Sequence, residues 1–115
     1  MSTAPRLHQN QMPASEVLRL GDLVSYQEGT VVSRTLVKHS TGTITVFAFD
    51  AGQGLTEHTA SFDALVQIID GKAEITISDK PYCVGVGEAI LLPANQPHAL
   101  AALPPFKMIL TMIRS

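Results

Sequence analysis

Few side chains in this chain of 115 residues are equipped for chemistry. Four are histidines, His8, His39, His58 and His98, and one is the single cysteine, Cys83. An imidazole titrates near neutral pH, so it can act as general acid or base, and its neutral form ligates transition ions. His8 lies in a polar N-terminal stretch and His39 in a turn, where both are expected to be solvated. His58 and His98 stand in apolar stretches punctuated by glycine and proline, Gly52 to Gly71 and Gly87 to His98. Two neutral imidazoles can hold a first-row ion, though weakly unless other groups complete the shell. Without a carboxylate to orient them they specify no reaction. Cys83 sits beside Val84 on an apolar strand with no basic neighbour, so it is expected to be a small buried hydrophobe and not a nucleophile. Gly52-Gln53-Gly54 is not a phosphate loop, because no GxxxxGK[ST] pattern or helix follows it.

The elements that must position these residues read as strands. Val31, Ser33, Thr35 and Val37 alternate with Val32, Arg34, Leu36 and Lys38, and Thr43 to Phe49 is β-branched and aromatic. Arg34 and Lys38 share one face, and a solvated outer face suits them better than an anionic ligand. Tyr26 and Tyr82 read equally as edge or interface residues or as ligands. Strands are expected at Leu55 to Ala60 and Ala64 to Ile69, with an Asp70-Gly71 hairpin turn after them. Lys72 to Ser78 alternates cleanly, placing Ala73, Ile75 and Ile77 inward. Asp79-Lys80-Pro81 is expected to turn the chain into a strand at Tyr82 to Val84. Shorter strands follow at Ala89 to Leu92 and Pro97 to Ala101, and Phe106 to Ile113 closes the chain with Phe106, Met108, Leu110 and Met112 on one face. A single helical turn is expected near Ala14 to Leu20. Short strands at intervals of about 8–12 residues, divided by Gly and Pro turns, mean an all-β sandwich or barrel.

The two histidine-bearing stretches resemble the paired signatures of the cupin family of small β-barrels. The first signature is a glycine, five residues, His-x-His, three or four residues, a glutamate, six residues and a glycine. Gly52, His58 and Gly71 fall in register, with Ala60 at the second histidine and Ala64 at the glutamate. The second is a glycine, five residues, Pro-x-Gly, two residues and a histidine. Gly87, Pro93 and His98 match, and Asn95 replaces the middle glycine. The resemblance covers about residues 30 to 113. It implies a double-stranded β-helix, or jelly-roll barrel, and a homodimer in which N-terminal strands pack across the interface. It also implies that positions 58, 60, 64 and 98 point into the barrel, where the family places a metal site. Here only His58 and His98 of that set remain, an incomplete site for a divalent ion such as nickel, zinc, manganese or iron. Glu57 then faces the other side of its strand, Gln67 points outward, and Asp63 stands at a strand entrance from which it could swing in. Phe62, Met108 and Met112 either line the pocket or, the heavier reading, belong to the core.

Length and composition set the outer limits. One domain is expected, a flexible tail over 1–14 and a single barrel over 15–115. The hydrophobic fraction is 45% and the charged fraction 16%, against about 25% charged in a typical globular chain, which suits a protein that hides surface against a second copy. Net charge is −2 without a basic cluster, so a nucleic-acid partner is not expected. No apolar run approaches the roughly 20 residues of a membrane span. Met1 to Gln11 is polar and lacks a signal-peptide core, and one cysteine fits a reducing compartment, so a cytoplasmic location is expected. The expected function is binding of a small ligand in the barrel near His58 and His98. The alternatives are a metal-dependent oxygenase or isomerase working with a two-histidine site, and a structural or regulatory dimer without chemistry.

Overall fold

Nine strands are found among residues 11–114, the residues that the computed structural model describes. In chain order they are β1 (Val31–His39), β2 (Gly42–Phe49), β3 (Gly54–His58), β4 (Ala64–Asp70), β5 (Lys72–Ile77), β6 (Lys80–Gly85), β7 (Ala89–Leu92), β8 (His98–Ala101) and β9 (Phe106–Ile113). All pair antiparallel, in a five-stranded sheet ordered β1-β2-β9-β4-β7 and a four-stranded sheet ordered β3-β8-β5-β6. This is the all-β jelly roll that the signatures imply. Over Ala14 to Leu20, where a helical turn is expected, the chain makes only a turn at Ala14-Ser15, and the short 3-10 segment comes later, at Leu20–Asp22.

Alternation decides which faces meet. On β4, Ala64, Val66 and Ile68 are buried while Leu65 and Gln67 are exposed. On β5, Ala73, Ile75 and Ile77 are buried. These rows pack against Phe49, Phe106 and Met108 from the five-stranded sheet and Leu100 from β8. The Phe49 and Phe106 rings stack at 4.5 Å. A one-residue slip of β4 would bring Val66 and Ile68 to the surface, a loss of about 3–6 kcal/mol, so the register is strongly specified.

Three local expectations change in the folded chain. Asp70-Gly71 is a turn, but β4 and β5 do not pair with each other; the chain crosses there from one sheet to the other. Gly71 has φ +69°, and a Cβ would lie 2.1 Å from the Pro105 carbonyl oxygen, so both conformation and space require glycine. The tight hairpin sits eight residues on, at Ser78-Asp79, where both residues take positive φ, and Lys80 and Pro81 already belong to β6. Pro81 is tolerated because β6 is an edge strand. Cys83 is exposed, not buried. It stands opposite Glu74 on β5 and points away from the core that Val84 enters, because adjacent residues of a strand face opposite sides.

A second apolar cluster lies on the other side of the five-stranded sheet. There Val24 from the segment before β1 packs on Leu36, Val46, Ala48 and Ile109. Lys107 Nζ donates to the Gly21 carbonyl at 2.6 Å, and the Tyr26 hydroxyl donates to the Asp70 carboxylate. Burial, then the Asp70 carboxylate, pushes the Tyr26 phenol well above its ordinary range. Of the expected tail over 1–14, residues 1–10, His8 among them, lie outside the described residues. Met12 donates its N–H to the Leu36 carbonyl at 3.0 Å.

Candidate functional site

His58 ends β3 and His98 opens β8, and the two strands are neighbours. The pairing runs Leu55 opposite Leu100 and then His58 opposite His98. Three residues on β3 therefore match two on β8, a bulge. Without that extra residue, positions 55 and 58 would face opposite sides of the strand. With it, Leu55 and His58 both line the same pocket, a way bulges commonly re-aim side chains at sites. Ala60, Ala64 and His98 line it too, so the four positions singled out by the signatures do converge. Met108 and Met112 also reach it, while Phe62 lies outside, under the Arg114 guanidinium at 5.4 Å. The cavity is about 50 Å³, far below the roughly 300–1,000 Å³ of pockets that enclose a drug-sized ligand.

Hydrogen bonds fix both imidazoles. His58 Nδ1 lies 2.9 Å from the Thr56 carbonyl oxygen, and His98 Nδ1 lies 3.2 Å from the Gln96 carbonyl oxygen. A carbonyl only accepts, so each of these contacts is a hydrogen bond when the hydrogen is on Nδ1. In the neutral Nδ1–H tautomers both Nε2 atoms are bare. These atoms face each other 3.2 Å apart, with the rings nearly perpendicular at 72°. Two lone pairs so placed repel unless one cation, a proton or a metal ion, sits between them. His98 is 5% exposed while His58 is open to solvent. Burial, then the nearby His58, holds the His98 imidazole below its usual pKa of 6.5, against the Gln96 carbonyl, which favours the charged ring.

The neighbouring carboxylates do not join the pair. Asp63 Oδ1 accepts the Ala94 N–H at 2.8 Å instead of swinging into the pocket. Glu57 and Gln67 are exposed, as alternation predicts. The Asp63 bond is half of a latch: Asn95 N–H donates to the Ala60 carbonyl at 2.7 Å. Together these bonds join the loop after His58 to the loop before His98. Asn95 has φ +66°, which explains why asparagine serves where the signature has glycine, since among non-glycine residues it tolerates this region well.

The donor set can be tested against the ion that the family pattern implies. Nitrogens bound side by side to one ion at about 2.0–2.1 Å stand about 2.9–3.4 Å apart, and the Nε2 separation is 3.2 Å. A metal-bound histidine habitually gives its other N–H to a carbonyl or carboxylate, and both do so here. Among the described residues no cluster of three or more His, Cys, Asp or Glu side chains is placed to hold a metal. The pair fits as a two-nitrogen clamp that leaves the remaining positions of an ion open.

Comparisons with known proteins agree on the architecture. The cupin domain family matches residues 45–113. A conserved protein of unknown function from Streptococcus pyogenes is 40% identical and superposes with a TM-score of 0.87, over 92% of this chain and 93% of that one. A cupin superfamily protein from Desulfitobacterium hafniense is 28% identical, with a TM-score of 0.85 over 93% of this chain and 97% of that one. A cupin 2 conserved barrel domain protein from Leptotrichia buccalis is 40% identical, with a TM-score of 0.81 over 84% of this chain and 47% of that longer chain. No curated protein matches. No helix among the described residues is long and apolar enough to cross a membrane. With the signatures in register, two antiparallel sheets and a family match over most of the strands, this chain belongs to the cupin family.

Proposed function

We propose that this cupin binds one divalent first-row ion between His58 Nε2 and His98 Nε2 and, through the open positions of that ion, a small ligand at the barrel mouth. The carrying observation is that the two Nε2 atoms converge at 3.2 Å while both Nδ1 atoms face main-chain carbonyls, which supports Nδ1–H tautomers with both Nε2 atoms bare. Imidazole suits zinc, nickel and iron better than magnesium or calcium. Such an ion supplies a Lewis acid; the chain supplies the clamp, the apolar walls and the exclusion of bulk water around His98. Among the described residues the pocket lining holds no carboxylate or nucleophile beside the pair, which supports a binding role over the oxygenase or isomerase alternative. The exposed side chains of Leu65, Leu91 and Ile113 support a homodimer as part of this reading. Elemental analysis of tag-free protein, prepared without chelators and again after zinc loading, tests it together with mass in solution. One ion per chain, lost in His58→Ala and His98→Ala variants that still fold, is the expected result. Protein that takes up no ion even after loading overturns the metal clamp.

A further inference from the structure

We infer that a second copy of this chain packs on the outer face of the five-stranded sheet, with Ile113 of each copy seated in an apolar groove of the other. This rests on the homodimer of the proposed function, not on its metal clamp, and names the surface that makes it. The segment before β1 covers one part of that face, where Val24 packs on Val46, Ala48 and Ile109. Toward β4 and β7 the outward side chains are exposed. One row of cross-strand neighbours joins the two parts, running Val37, Ile44, Thr111, Leu65 and Leu91 over all five strands. Leu65 and Leu91 are 36% and 51% exposed. Ile113 stands two positions after Thr111, hence on the same face, and is 65% exposed.

The relief of this face suits a copy of itself. Gly42 stands opposite Ile113 on β2 and has no side chain, so Ile113 rises as a ridge. On its β2 side lies a groove of about 290 Å³ bordered by Val37 and Ile44. On its β4 side lies another of about 350 Å³, bordered by Phe62, Leu65 and Leu91. One surface thus carries both a knob and the grooves for such a knob. That is the self-complementarity an isologous two-fold contact requires, and such a contact closes at two copies. The charge on the face permits it too. Asp63 and Arg114, one of each sign, are the acidic and basic side chains lining the grooves, with His39 beside them. Asp63 is tied to Ala94 and Arg114 lies over the Phe62 ring, so two copies meet through apolar side chains without net repulsion.

Sedimentation equilibrium of metal-free, tag-free protein over a range of concentrations tests this. Wild type is expected to reach twice the chain mass and no more. Ile113→Glu should raise the dissociation constant about tenfold or more while keeping the native circular dichroism spectrum. Leu91→Glu, on the same face, should act likewise and decides the matter where Ile113→Glu does not fold. Leu103→Glu changes a leucine that is 73% exposed but borders a groove beside Cys83 on the other sheet, and it should leave the dimer intact. A dimer that survives a folded Ile113→Glu, or that Leu103→Glu loosens as much, overturns the inference and leaves the homodimer to another surface, such as exchanged N-terminal strands. A mass beyond two copies also overturns it, because a two-fold contact closes. Wild type that stays monomeric removes the inference and the homodimer together. Metal uptake enters none of these readings, so failure of the clamp leaves the inference standing.

Discussion

Replacing Asp63 with alanine removes the acceptor that holds Ala94 N–H and leaves Asn95 N–H to Ala60 as the other bond of the latch. A hydrogen bond to a charged group contributes about 1.5–3 kcal/mol when sheltered; this one is exposed, and about 1 kcal/mol is the better figure. For a chain of 115 residues that corresponds to a fall of about 4 °C in Tm. The latch also joins the loops that flank His58 and His98. If its loss is felt as disorder of the pair, the same 1 kcal/mol appears as weaker zinc binding, at most about fivefold. Asp63→Asn keeps an oxygen at the acceptor position and should recover most of both effects. The assay is thermal unfolding of metal-free protein beside zinc titration of the folded variants. Unchanged Tm and unchanged zinc affinity in Asp63→Ala would show that the latch does not position the pair. Equal damage from Asp63→Asn would assign the effect to charge and not to the bond to Ala94.

Ala60→His with Ala64→Glu should convert the clamp into a full centre and tighten nickel or zinc by orders of magnitude, since positions 58, 60, 64 and 98 line one pocket; no gain in a folded double variant would refute that convergence. Because the folded state depresses the His98 pKa, the unfolded chain takes up its proton first as pH falls. Metal-free protein should therefore keep this contribution above the usual pKa of 6.5 and lose stability progressively below it, and His98→Ala should flatten that slope in urea unfolding at several pH values. Gly71→Ala should cost at least about 1–2 kcal/mol for the left-handed backbone, and more from the Cβ placed 2.1 Å from the Pro105 oxygen, visible as a lower urea midpoint. Cys83 should react with a small thiol reagent in the native state at a rate close to that in denaturant, because it is exposed; strong native protection would place it in a contact between copies.

Much of the architecture was legible because the signals are local. Alternation along Ala64 to Ile69 and Lys72 to Ser78 reports which face meets a core, whatever the core is made of. The glycine and proline positions mark turns because they report backbone conformation. What a turn signal does not carry is the identity of the partner strand. Asp70-Gly71 reads as a hairpin, yet β4 finds its partners in β7 and β9, far along the chain. Cys83 was misplaced for a related reason: it follows Tyr82 and precedes Val84, and only the sheet pairing shows which of these alternating residues faces inward. The signature departure at Asn95 cost the site nothing, because the requirement there is a positive φ and asparagine meets it.

The sequence alone determined the fold class, the strands near their observed limits and the four positions that gather in the barrel, and it identified which two of them kept an imidazole. The fold class and the strands depend on residue type and period, and the four positions follow from the resemblance to the cupin signatures. Tertiary structure decided the chemistry of the pair. The bulge between Leu55 and His58 is a mismatch between two strands, so neither strand records it by itself. The carbonyls of Thr56 and Gln96, each two residues from its histidine, reach the Nδ1 edges of the rings only once the backbone has curled to meet them. The same folding ties Asp63 to Ala94, so a carboxylate that spacing would allow into the pocket is held outside it. Charge, tautomer and cavity size are properties of atoms brought together from distant parts of the chain, and they separate a clamp with open positions from a complete metal centre.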